Sequence, residues 1–80
     1  MATQQFSTGR DKGTWDGGIT KGQQIAARHL ADEDFAGYYE LLTDYKDLNS
    51  RTPSAYYAGF IDGCRAAMRE YAAAVGEAAA

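Results

Sequence analysis

From Tyr56 to Val75 an apolar side chain returns every three or four positions: Tyr56, Phe60, Cys64, Ala67 or Met68, Tyr71, Val75. That spacing is the period of an α-helix with one face turned to a core, sustained over five turns. Two glycines, Gly59 and Gly63, stand one turn apart inside it. Each lowers helix propensity by roughly 1 kcal/mol relative to alanine. A long helix that keeps both implies another helix approaching closely. Tyr57 and Ile61 widen the stripe, and Arg65, Arg69 and Glu70 mark its wet side. Thr52-Pro53 reads as the start, with Thr as cap and Pro at the first helical position, where no N–H is needed. The alanine-rich end after Gly76 should fray.

Two further helices are expected upstream. Asp32 reads as an N-cap, with Glu33 and Asp34 in a first turn where acids complement the helix dipole. Phe35, Tyr38, Leu42 and Tyr45 then follow at helical spacing, with Leu41 and Leu48 beside them, and Asn49 and Ser50 close the helix. Thr20-Lys21-Gly22-Gln23 fits a capping box and opens a shorter helix to about Leu30. Residues 1–18 carry Gly9, Gly13, Gly17 and Gly18 without helical periodicity and read as a flexible or irregular arm. The expectation is an all-α, small three-helix domain over residues 19–80, preceded by that glycine-rich irregular N-terminal arm. Helices two and three are expected to share the main core.

A chain of 80 residues forms one domain with a thin core. One cysteine cannot form an internal disulfide. The opening MATQQFSTGR lacks the apolar run of a signal peptide, and no stretch approaches the ~20 apolar residues of a membrane span. The expected compartment is the cytoplasm.

Catalytic and metal chemistry find little support. His29 and Cys64 have no ligand partners in register for a zinc site. Cys64 lies on the apolar stripe between Phe60 and Met68, where a thiol acts as a small core residue rather than a nucleophile. Gly13-Thr-Trp-Asp-Gly-Gly18 lacks the Lys-Ser/Thr and the preceding strand of a phosphate-binding loop. Trp15 in that segment is expected to pack back on the core. Arg10, Lys12, Lys21 and Arg28 with two interspersed acids make a poor nucleic-acid footprint. No enzyme activity, cofactor or metal is expected.

Charge is the remaining signal. The net charge is −3, but residues 1–31 balance to +2 and residues 32–47 to −5. In the latter, Asp32, Glu33, Asp34, Glu40, Asp44 and Asp47 face only Lys46. Glu33, Gly37, Glu40, Asp44 and Asp47 step by four and three along one helix face, opposite Phe35, Tyr38, Leu42 and Tyr45. Ordinary helix surfaces intersperse Glu and Lys at i, i+4, whereas Glu40–Asp44 is a like-charge pair that costs stability. Retaining it implies a use: a negative face that a basic protein surface recognises. The partner-binding residues read from this pattern are Asp32, Glu33, Glu40, Asp44 and Asp47, with Tyr39 and Tyr57 as aromatic rim contacts. The alternative is a structural or assembly module, a homodimer formed through exposed tyrosines and a Gly59/Gly63 groove, with the acidic face merely solvated.

In size and in the style of "SAYYAGFIDGCRAAM" and "DEDFAGYYELL", the chain resembles small phage and mobile-element anti-CRISPR proteins, among them those directed at type I-C systems. The resemblance carries no functional residues across. It implies a non-enzymatic inhibitor in the bacterial cytoplasm that blocks target DNA binding by a crRNA-guided surveillance complex. It would do so on a basic subunit surface, by DNA mimicry or by steric block, without touching nucleic acid itself.

Overall fold

A computed structural model describes residues 9–79, with side chains from Thr14 to Ala78. Three helices follow in order: α1 (Gly9–Ala31), α2 (Phe35–Arg51) and α3 (Ala55–Ala79). The all-α, three-helix expectation holds. Residues 1–8 of the expected arm lie outside the described residues. From Gly9 on, the segment expected to be irregular is helical.

The glycines explain why. Gly18 and Gly22 of α1 lie against the backbone of α3: a Cβ at Gly18 would collide with Tyr56 O, and one at Gly22 with Phe60 O. The contact is reciprocal. Gly59 of α3 abuts Trp15 O, and Gly63 abuts Ile19 O and the Gln23 N–H group, with a Cβ there only 2.7 Å from that nitrogen. Two glycine pairs at four-residue spacing thus let two helix backbones touch. The propensity each glycine forfeits is offset by burial and by dispersion contacts made at the closest distance two helices can reach. The close approach expected at Gly59 and Gly63 is real, and α1 is the helix that makes it.

Trp15 meets Gly59, Ile19 meets Gly63, and Gln23 Nε2 donates to Glu70 Oε1 at 2.7 Å. Residue numbers rise together on both helices, so α1 and α3 run parallel. α2 returns antiparallel across their seam. The buried core is Ala26, Leu30, Tyr38, Phe60, Cys64 and Ala67, with Ile61 also buried. The expected α2–α3 core is thereby corrected: α1 and α3 form the larger contact, and α2 adds Tyr38 and the half-buried Leu41, Leu42 and Tyr45. Tyr38 Oη donates to Cys64 O at 3.1 Å, which satisfies its buried hydroxyl. Tyr45 stacks on Phe60 with ring centroids 3.6 Å apart. Phe35, Leu48 and Val75, expected on the core faces, keep a substantial part of their surface in solvent.

The helix ends also differ from the sequence reading. Thr20 sits inside α1 and bonds back to Asp16 O at 3.1 Å. Asp34, not Asp32, caps α2. Thr52 N–H closes α2 on Leu48 O at 2.9 Å. Ser54 Oγ then caps α3, accepting from the N–H groups of Tyr56 and Tyr57 at 3.1 and 3.4 Å. Asp34 and Ser54 thus each satisfy first-turn N–H groups that have no partner within their helix.

The seam makes a sharp prediction. Gly22→Ala and Gly63→Ala should each be net destabilising, because wedging two packed backbones apart costs about 1–3 kcal/mol and outweighs the propensity gained. Gly17→Ala, with nothing within 4 Å of the new Cβ, should instead stabilise by up to ~1 kcal/mol. Thermal melts followed by circular dichroism read both signs.

Candidate protein-binding face

α2 buries Tyr38 and turns Leu41, Leu42 and Tyr45 inward. At 3.6 residues per turn this puts Glu40, Asp44 and Asp47 on the opposite side, and all three are exposed. The face expected from the sequence therefore exists, but it is shorter than the spacing implied. Asp47 Oδ2 pairs with Arg51 Nε at 3.2 Å, so the last turn supplies its own cation, placed where it also complements the helix dipole. Glu33 precedes α2 and has φ 57°, a left-handed conformation uncommon outside glycine. Asp32 and Glu33 are exposed in the turn, off the helical stripe.

What remains on the helix is Glu40 and Asp44, one turn apart. Among the described residues neither makes a side-chain hydrogen bond or ion pair. Lys46 does not relieve them. It lies on the flank towards α3 and lines an open hollow of about 340 Å³ with Asn49, Ser50, Ala58, Ile61, Asp62 and Arg65.

The two aromatic rim residues separate. Tyr39 is 57% exposed and rests edge-on against Tyr38, centroids 5.1 Å apart. Tyr57 is half-buried and packs edge-on against Tyr45 at 5.9 Å, so it belongs to the α2–α3 packing rather than to an open surface. Sequence reasoning missed Leu48, which is 40% exposed one turn beyond Asp44. Its position on the flank of the apolar stripe, rather than at its centre, was the available signal.

Gly59 and Gly63 are covered by α1. A homodimer through that groove would have to displace α1, which removes the expected site for it. Cys64 is buried, points its thiol at Gly22 O at 3.8 Å, and burial pushes its pKa up to about 11. At neutral pH it stays a thiol. No group of three His, Cys, Asp or Glu among the described residues is placed to hold a metal ion. No described helix is long and apolar enough to cross a membrane.

The N-terminal end of the face is held by a clasp. Asp34 Oδ1 accepts from Gly37 N–H at 3.0 Å, and Asp34 Oδ2 lies 2.9 Å from His29 Nδ1. A carboxylate only accepts, so the ring proton sits on Nδ1. Gly37 allows this approach, since a Cβ there would meet His29 Nδ1 at 2.8 Å. The clasp ties the last turn of α1 to the first of α2. The Gly37 N–H, then the His29 hydrogen bond, hold the Asp34 carboxyl below its ordinary 3.8.

Comparison with protein-family models, with curated proteins and with solved structures returns no match for the chain. Fold and face together define a small three-helix domain with one acidic outer surface.

A carboxyl whose folded pKa is depressed contributes stability that is complete above its unfolded value and lost as pH falls through the folded one. Asp34→Asn, which keeps a capping side chain, should therefore melt lower than the wild type at about pH 5. The gap should close as pH drops below 3.8. A gap that is constant with pH would show that the clasp is not ionic.

Proposed function

We propose that the chain acts by binding, with the outer face of α2 docking on a Lys/Arg-rich surface of a protein partner. The observation that supports this is the pair Glu40 and Asp44: exposed, one turn apart, and without a cation although the chain carries eight. Like charges at i, i+4 work against the helix, and a cationic partner removes that penalty on binding. Charge of this kind raises the encounter rate and selects the partner; affinity then needs apolar contact. Tyr39 and Leu48 flank the carboxylates and offer it, and Asp32 and Glu33 extend the negative field at one end.

A protein surface that grips a nucleic-acid backbone has the required charge, and the resemblance to anti-CRISPR proteins narrows the proposed partner to a DNA-reading subunit of a type I surveillance complex. With Asp47 neutralised by Arg51, the unpaired carboxylates on the helix span only about 6 Å. That length favours a steric block guided by charge over imitation of a long phosphate run.

Glu40→Lys with Asp44→Lys should leave helicity and melting temperature near those of the wild type, because both side chains are exposed. Binding to a purified type I-C surveillance complex, read by biolayer interferometry, should weaken at least about tenfold, and wild-type binding should fall with added salt. A double variant that binds as the wild type does would remove the acidic face from the account.

A further inference from the structure

Lys46, on the flank of α2, and Arg65, on α3, line the same solvent-open hollow of about 340 Å³. Both residues are exposed, and among the described residues neither makes an ion pair or a side-chain hydrogen bond. Asp62 lines the hollow too, three residues before Arg65, and pairs with neither cation. Asn49 adds to the donors. Its Oδ1 already accepts the Ser54 N–H at 3.1 Å, so its NH2 group is the part left to offer. Ser50 Oγ gives its proton to Asp47 O at 2.9 Å and keeps its lone pairs. Ala58 and the buried Ile61 make the apolar part of the lining.

We propose that this hollow is a binding site for a sugar phosphate. The phosphate lies between Lys46 and Arg65, with the Asn49 amide as a further donor. At neutral pH a phosphate monoester carries about −1.5 to −2 charges, which matches two cations. The planar guanidinium can take two of its oxygens at once. The single charge of a carboxylate would leave one cation uncovered. Asp62 opposes a bare anion, so the ligand must bring donors of its own beside the phosphate. Sugar hydroxyls supply them, donating to Asp62 and Ser50. Ala58 and Ile61 suit the C–H face of the sugar. No aromatic ring lines the hollow, so the base of a nucleotide finds nothing to stack on. Glu40 and Asp44 do not line the hollow and take no part.

The test is a titration of the full chain followed by amide-resolved NMR, with ribose 5-phosphate as the probe. Amide shifts should saturate and centre on Lys46, Asn49, Ser50, Asp62 and Arg65. Ribose alone should give none, and AMP should bind no more tightly than ribose 5-phosphate. Lys46→Gln and Arg65→Gln, both at exposed positions, should keep the helicity and each weaken binding about tenfold or more. Arg69→Gln, on the same helix but outside the hollow, should leave binding unchanged. Inorganic phosphate should bind more weakly than ribose 5-phosphate, and Asp62→Ala should close that gap. Shifts that do not saturate by about 10 mM, shifts centred elsewhere, or Arg69→Gln weakening binding as much as Lys46→Gln would each overturn the proposal. So would inorganic phosphate binding as tightly as ribose 5-phosphate, or AMP binding more tightly.

Discussion

Everything in this fold is built on a backbone-to-backbone contact between α1 and α3. Glycines 18 and 22 on one helix and 59 and 63 on the other remove the side chains that would otherwise keep the axes apart. Such contact gains little from hydrophobic area, since glycine has no side chain to bury. Its strength comes from packing density and from the larger groups placed around it. Beside the glycines, the Trp15 ring edge lies against Gly59 and the rings of Tyr56 and Phe60 pack on each other. An 80-residue chain has little apolar material, and bringing two helices this close lets a thin core be a dense one.

α2 is fastened to this pair rather than being part of it. Tyr38 and Tyr45 provide the attachment, one through its hydroxyl on Cys64 O and the other through a stacked face on Phe60. The ends are tied by short polar links: His29 and Asp34 at the start, Asn49 and Ser54 at the finish, where Asn49 Oδ1 accepts the Ser54 N–H at 3.1 Å. With its position secured by one face and two ends, the outer face of α2 has no structural duty. That freedom is what allows uncompensated carboxylates to persist there, and it links the packing of the domain to the proposed binding role.

Much of this was legible in the residues. The Tyr56–Val75 stripe gave α3, the Phe35–Tyr45 spacing gave α2, and the i, i+4 acids gave the exposed face. Two things were not legible. Glycine in a polar stretch has the same local signature whether it marks a loop or a close helix crossing; what distinguishes them is a matching pair far away in sequence, here 18 and 22 against 59 and 63. The caps failed for a related reason. Asp32 and Asp34, or Thr52 and Ser54, are chemically alike, and the choice between them depends on how sharply the chain must turn to bring α2 back over the seam. Arg51 behind Asp47, a local i, i+4 pair, could have been read and shortens the acidic stripe.

Native-state hydrogen exchange resolved by residue tests the central role of the seam most directly. If the α1–α3 contact carries the fold, amides from Gly18 to Ala26 and from Phe60 to Ala67 should exchange slowest and only through global unfolding, with α2 opening at lower free energy. Amides of Gly18 to Ala26 exchanging as fast as those of an unstructured arm, while α2 and α3 stay protected, would contradict it.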